Sequence, residues 1–268
     1  MAIILSDIYY NFKYFLKNNF PRLFFFVRTC RDYLFLPAVF IRKKISPKFF
    51  SQFISKGDLC FDIGAHFGTK TENFLQLGAK VIAVEPQPLL CQEMIKRCRN
   101  NKNLIVINKG VADKPGCLDM TIIDDCDSIS TMSEKWKTKG RFLEDYKRPG
   151  TRLVSVPVIT LDSLISEYGA PKFCKIDVEG FEKEVLAGLT KPIPYISFEF
   201  MKEFIDDAKS CANYLKSLGA ARFNFSRKES MKLFFNDWVL PEELFSKLEK
   251  IKNKDLWGDI YVKFLKNA

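Results

Sequence analysis

The feature that most constrains this chain is the segment Cys60-Phe-Asp-Ile-Gly-Ala-His-Phe-Gly68, followed by Val81-Ile-Ala-Val-Glu85. Residues 58–63 form a short apolar run, the pattern of a strand buried on both faces of a parallel sheet. Gly64 and Gly68 stand four apart, ahead of a helical stretch at 69–77. Glycine lets a strand turn sharply and lets backbone come within contact distance of a ligand, because no Cβ intervenes. Glu85 closes the second apolar run, 23 residues beyond Asp62, where an acidic side chain can accept both hydroxyls of a ribose. The loop Gly64-Ala65-His66-Phe67-Gly68 has none of the further glycines that admit a pyrophosphate in G-x-G-x-x-G sites. Its spacing suits a smaller, phosphate-free nucleoside such as S-adenosylmethionine. A tight β-to-α turn with no ligand is the alternative this loop alone leaves open.

A second strand end carries acids. In Phe173-Cys-Lys-Ile-Asp-Val-Glu-Gly-Phe-Glu182 an apolar strand ends at Asp177, and Glu179, Gly180 and Glu182 follow as a helix begins. Carboxylates at the C-terminal ends of parallel strands face the crevice where open α/β sheets bind ligands. Glu199 ends a further strand and joins Asp177 and Glu179 as a candidate general base or substrate-orienting group. Such paired acids could also hold Mg²⁺ through oxygen ligands, but sequence gives no ligand count and assigns no metal. Capping of a helix or pairing with a lysine is the competing explanation for each acid.

The motifs FDIGAHFG, VIAVEP, Gly110-Val-Ala-Asp-Lys-Pro-Gly116 and KIDVEGFE together resemble the FkbM family of S-adenosylmethionine-dependent methyltransferases, as do Leu161-Asp-Ser-Leu164 and Ile196-Ser-Phe-Glu199. The resemblance spans residues 55–200, with a looser tail to 265. It implies a Rossmann-like class I methyltransferase fold, an α/β architecture with a seven-stranded, mostly parallel sheet, its last strand antiparallel, and helices on both faces. It implies S-adenosylmethionine as cofactor, held by Asp62, Gly64, Ala65, His66, Gly68, Glu85 and Pro86, with Ala112 and Asp113 bordering the adenine. It also implies O-methylation of a sugar, glycan or natural product by direct displacement. One position departs from the family: His66, the only histidine, stands where the pattern usually has Asn. Either it is a loop residue replacing the Asn hydrogen bonds, or it is a general base. Two other functions compete, an NAD-linked oxidoreductase and a catalytically silent, membrane-docked binding protein.

Strands alternate with helices along 57–268, as in a parallel sheet covered on both faces. Expected strands lie at 80–85, 104–108, 116–123, 154–160, 173–177, 195–200, 223–225 and 260–265. Helices are expected at about 86–99, 161–168, through about 189 and at 206–218. The polar stretch 124–150 is too long for a plain connection, and reads as a lid or substrate loop, or else a solvated insertion. Within it Ser128, Ser130 and Thr131 are candidates to contact cofactor or substrate.

The net charge of +10 is unevenly spread. Residues 1–56 hold ten Lys or Arg against Asp7 and Asp32, a surplus of +8 among many aromatic side chains. Nucleic-acid readers carry their charge on polar surfaces, so no nucleic-acid partner is expected. Charges inside 23–41 argue against a membrane span, and no signal-peptide pattern precedes it. The arm reads as a helical extension, either lying on an anionic membrane or capping the catalytic domain or a second subunit of a homo-oligomer. Eight scattered cysteines without a CxxC pair read as buried thiols of a reducing compartment, hence a cytoplasmic protein, with the membrane surface as a further option.

Overall fold

The computed structural model describes residues 46–265 except 100, 125, 126, 140, 148 and 149. The expected membrane-lying or domain-capping extension therefore falls outside the described residues for positions 1–45. Among the described residues no helix is long and apolar enough to cross a membrane.

The parallel core begins with β1 (Leu59–Ile63), in which Cys60, Phe61 and Ile63 are buried. Gly68 leads into α1 (Thr69–Gln76), and β2 (Lys80–Val84) follows. Pro88 opens α2 (Pro88–Arg97), where its missing N–H costs nothing because a first-turn N–H has no helical acceptor. Then come β3 (Leu104–Ile107), β4 (Gly110–Val111), β5 (Gly116–Ile123), the short α3 (Glu134–Thr138) and β6 (Thr151–Ile159). A reciprocal capping box starts α4 (Leu161–Tyr168): the Ser163 N–H donates to Thr160 Oγ1 at 3.0 Å, and the Thr160 N–H donates to Ser163 Oγ at 2.9 Å. The second half runs β7 (Phe173–Ile176), α5 (Glu182–Ala187), β8 (Tyr195–Met201), α6 (Ile205–Leu218), β9 (Ala221–Arg227), α7 (Pro241–Lys250) and β10 (Trp257–Phe264).

The main sheet has seven strands in the order β3-β2-β1-β7-β8-β10-β9. Six of them point the same way, and β10 runs antiparallel between β8 and β9. This is the seven-stranded, mostly parallel architecture the sequence leads one to expect. The chain leaves β1 towards β2 and β3, then returns to lay β7 on the other flank of β1. That reversal opens a crevice at the C-terminal ends of β1 and β7. Strands β4, β6 and β5 form a separate three-stranded sheet.

Several details differ from the sequence expectation. The helix α7 escapes it, although Leu244, Phe245 and Leu248 bury one face. The described residues of the 124–150 stretch, expected as a lid or substrate loop or else a solvated insertion, are anchored to the domain at several points. Trp136 is buried, Lys135 pairs with Asp207 at 2.5 Å, and Arg141 pairs with Glu203. Phe49, Phe50, Phe53 and Ile54, at the end of the expected extension, are buried against the domain itself. Phe50 meets Phe74 edge-on at 5.0 Å, and Phe53 stacks on Phe173 at 5.5 Å and on Tyr261 at 5.4 Å. Of the cysteines expected to be buried, Cys60, Cys91, Cys98, Cys174 and Cys211 are, whereas Cys117 is exposed on β5. Cys30 and Cys126 lie outside the described residues.

Candidate active site

The nucleoside half of the crevice is built by the turn after β1. Gly64 has φ +74°, and its N–H and that of Ala65 both donate to Val84 O at the end of β2, at 2.9 and 3.1 Å. A Cβ at Gly64 would fall 1.8 Å from the carbonyl oxygen of Asp177. The bare glycine is therefore required by the chain's own neighbouring strand end. At Gly68, also left-handed, a Cβ would meet Met94 Cγ at 2.4 Å. His66 takes φ +52°, a conformation that Asn and His tolerate better than most residues. The backbone accounts for a histidine where Asn is usual.

Glu85, 4% exposed, gathers this turn. Its Oε2 accepts the His66 N–H at 3.0 Å and its Oε1 accepts the Gln87 N–H at 2.9 Å. Glu85 also lines the cavity at this strand end, where a carboxylate can accept ribose hydroxyls. Asp62, in the strand before the turn, accepts the Thr71 hydroxyl at 2.5 Å. Burial pushes its carboxyl up to about 6, with the Thr71 bond and Lys175 opposing. These residues fit the requirements of S-adenosylmethionine: a backbone turn without side-chain obstruction, an acid for the ribose and an acid near the amino-acid end.

The acidic half comes from β7 and β8. The pair Ile176–Phe198 is the last in their parallel register, so Asp177 and Glu199 follow side by side. Each of Asp177, Glu179 and Glu199 brings a carboxylate oxygen within 4.8 Å of the others, close enough to hold one cation. Burial, then the neighbouring Asp177 and Glu182, push the Glu179 carboxyl well above the ordinary glutamate value. Burial, then Glu179 and Asp177, do the same to Glu199. Glu179 has φ +53° and is clamped from both sides. Its carbonyl accepts the Thr131 hydroxyl at 2.7 Å, while Glu182 Oε1 accepts the N–H groups of Val178 and Gly180 at 3.2 and 3.3 Å.

Beneath the cluster lies a buried cation. Lys175 Nζ, 1% exposed, donates to Asp177 Oδ2 at 3.0 Å and to Asp259 Oδ1 of β10 at 2.8 Å. Burial alone would lower the lysine, but Asp177 and Asp259 outweigh it and hold the ammonium well above its ordinary value. One end of the Asp177 carboxylate is thus fixed by a charge-assisted bond.

A cavity of about 1030 Å³ joins the two halves. Among the residues expected from sequence, Asp62, Gly64, Ala65, His66, Glu85 and Pro86 line it on one side, and Asp177, Glu179 and Glu199 on the other. Ser128, Ser130 and Thr131 line it as well. Gly68, Ala112 and Asp113 do not; Ala112 is buried with its N–H on Ile159 O, and Asp113 is exposed beside Lys114. Sequence reasoning misses Lys175, Asp259 and Trp136 as site-building residues. Only Lys175 leaves a signal, since a lysine inside a strand buried on both faces must find a partner.

A family model described as Methyltransferase FkbM domain matches residues 62–221. No curated protein matches the chain. Three solved structures illustrate the fold-level likeness. A precorrin-6y methyltransferase from Geobacter metallireducens is 9% identical, with 82% of this chain and 88% of that one covered and a TM-score of 0.41. An rRNA methylase from Streptococcus thermophilus is 12% identical, with 82% and 95% covered and a TM-score of 0.41. Fibrillarin from Aeropyrum pernix, bound to S-adenosylmethionine, is 14% identical, with 78% and 67% covered and a TM-score of 0.37.

Proposed function

Because this chain belongs to the FkbM methyltransferase family, with S-adenosylmethionine as its cofactor, we propose that it methylates a hydroxyl oxygen of a sugar, glycan or related natural product. The observation that carries this reading is the placing of Asp177, Glu179 and Glu199 on the same cavity as the Asp62–Glu85 turn. The cofactor supplies a methyl group on a cationic sulfur and leaves as neutral S-adenosylhomocysteine. Glu85 and the Gly64–His66 turn hold its ribose, and Asp62 stands near its amino-acid end.

A hydroxyl is a poor nucleophile until a base takes its proton. Asp177 is the base of this reading, with Lys175 fixing one carboxylate oxygen. Glu179 orients the acceptor, and Glu199 is the further acid of the cluster. With cofactor and acceptor bound, Asp177 would receive the acceptor's proton as the methyl group passes to the oxygen. The residues otherwise align the two reactants and exclude water.

Calorimetric titration with S-adenosylhomocysteine and, separately, with NAD tests the cofactor half. Glu85→Ala should weaken S-adenosylhomocysteine about tenfold or more, the scale of one lost bond to a charged acceptor. Glu85→Gln, which keeps an acceptor for the loop N–H groups, should fall between. Tight NAD binding would overturn the reading. The acceptor half is tested by labelled methyl transfer to glycans and lipid-linked glycans in cell extracts. Transfer to none of them would count against the substrate class.

A further inference from the structure

One tryptophan on the cavity wall is not explained by packing. The chain has three. Trp136 stacks on Phe204 at 5.2 Å and on Phe142 at 6.0 Å. Trp238 packs on the aromatic cluster around Phe53 and meets that ring at 6.3 Å. Trp257 is partly buried and lines the cavity of about 1030 Å³, yet it joins none of the hydrophobic clusters that the described residues form. Its backbone is nonetheless fixed. It pairs with Met201 in the β8–β10 ladder, and its carbonyl accepts the Lys228 N–H at 2.7 Å. A large apolar side chain held on a rigid strand and facing a cavity is contact surface for a ligand.

Register places this indole beside the acids. Asp259 faces Glu199 across the β8–β10 pair, and Trp257 precedes Asp259 by two, so the three side chains lie on one face of the sheet. Trp257 and Glu199 are diagonal neighbours there, with backbones roughly 7–8 Å apart. Asp177 ends β7, two strand spacings or roughly 10 Å from β10. Along the C-terminal edge of the sheet the order is therefore the cofactor turn on β2 and β1, the acids on β7 and β8, then the indole on β10. Asp177, Glu179 and Trp257 line the same cavity. A molecule lying on the indole has its inner edge over the acids and turned towards the cofactor. Charge at this end narrows the choice. Asp177, Glu179, Glu199 and Glu229 face Lys70, which pairs with Glu229 at 3.7 Å, and the remaining cations of the lining lie on and after α2 and β3. A phosphorylated or carboxylated ring would meet net negative charge here.

We propose that Trp257 is the platform of the acceptor: a neutral polyhydroxyl ring rests its C–H face on the indole and turns hydroxyls to Asp177 and Glu179. The inference rests on the methyl-transfer reading and deepens it. The indole face is the negative side of the ring's quadrupole and attracts the weakly positive C–H hydrogens of such a ring, while the carboxylates accept from its hydroxyls. Trp257 thus sets the plane of the acceptor, and the acids select the hydroxyl that meets the methyl group.

Proton–nitrogen correlation spectra of the full chain labelled with ¹⁵N-tryptophan, with S-adenosylhomocysteine present, test it directly. Trp257→Phe identifies the relevant indole signal. The probes are the methyl glycosides of glucose, galactose, mannose and rhamnose. Tetramethylammonium is the opposing probe, since a cation also suits an indole beside acids. At least one glycoside should move the Trp257 signal saturably, and tetramethylammonium should need a higher concentration. Followed on the sugar's own proton signals, that glycoside should bind about tenfold more weakly to Trp257→Ala. Trp257→Phe, which keeps a ring face, should restore most of the affinity. The urea midpoint of Trp257→Ala should match that of the parent, and a lower one would make the indole a packing element and overturn the platform. So would a Trp257 signal that no glycoside moves, a tighter response to tetramethylammonium, or an unchanged glycoside affinity in Trp257→Ala. Calorimetry with S-adenosylhomocysteine on the same sample separates the two layers. If that ligand binds while the glycosides leave Trp257 unmoved, the platform fails and methyl transfer stands. If it does not bind, the methyl-transfer reading fails and takes the acceptor platform with it.

Discussion

Glu182 holds the turn that carries Glu179, and replacing it with Gln should stabilise the protein in a pH-dependent way. The carboxylate is 8% exposed and accepts two backbone N–H groups through Oε1. Burial outweighs those bonds and pushes its carboxyl up to about 7, from an ordinary value of 4.5. Between those two values the folded chain keeps a proton that the unfolded chain has released. Stability therefore falls as pH rises through that window and is fully restored only below the unfolded value. Once the group is ionised in both states, holding it in this site costs on the order of 3 kcal/mol. Gln keeps the Oε1 acceptor and removes the titration. Urea unfolding of both proteins across the pH range should give equal stabilities near about pH 4. By about pH 8 the variant should lead by roughly 2–3 kcal/mol. Asp62 is raised too and tilts both curves alike, whereas Glu179 and Glu199 are pushed up partly by Glu182 itself, so the difference reports Glu182 together with its repulsion of those two acids. A difference that does not change with pH, or a variant less stable at the alkaline end, would refute the assignment of burial as the dominant cause.

Two further substitutions probe the frame around the site. Gly64→Ala places a Cβ 1.8 Å from Asp177 O at φ +74°, so β1 and β7 must separate. Left-handed strain and overpacking together predict a loss of about 3 kcal/mol in urea unfolding, with weakened S-adenosylhomocysteine binding in the calorimeter. Lys175→Met leaves the buried Asp259 and the partly exposed Asp177 without their cation, for an expected loss of about 3 kcal/mol. A shift in unfolding midpoint equivalent to less than about 1 kcal/mol would mean that solvent, not the lysine, neutralises those acids.

The parts of the site legible in sequence are those that one segment of chain builds alone. Gly64, Gly68 and the run before them define a strand-to-helix turn whatever lies nearby, and Glu85 is the next strand's end in the same local pattern. Asp177 and Glu199 are legible as strand ends for the same reason. What joins them is not. Lys175 reaches Asp259 across 84 positions, and Thr131 reaches Glu179 across 48. No periodicity encodes such distances; register does. Side chains two apart on a strand share a face, which aligns Lys175 with Asp177 and Ser197 with Glu199. The pairings Lys175–Ser197 and Glu199–Asp259 then set those strands shoulder to shoulder. One polar stripe thus crosses an otherwise apolar sheet and ends at the acidic cluster. A shift of one residue in either pairing would move half of these groups to the opposite face, where they would meet buried apolar side chains. The same alternation that hides the partners from a linear reading also fixes them. Few registers bury the apolar residues of β7 and β8 while giving Lys175 two carboxylates, and the chain adopts one that does.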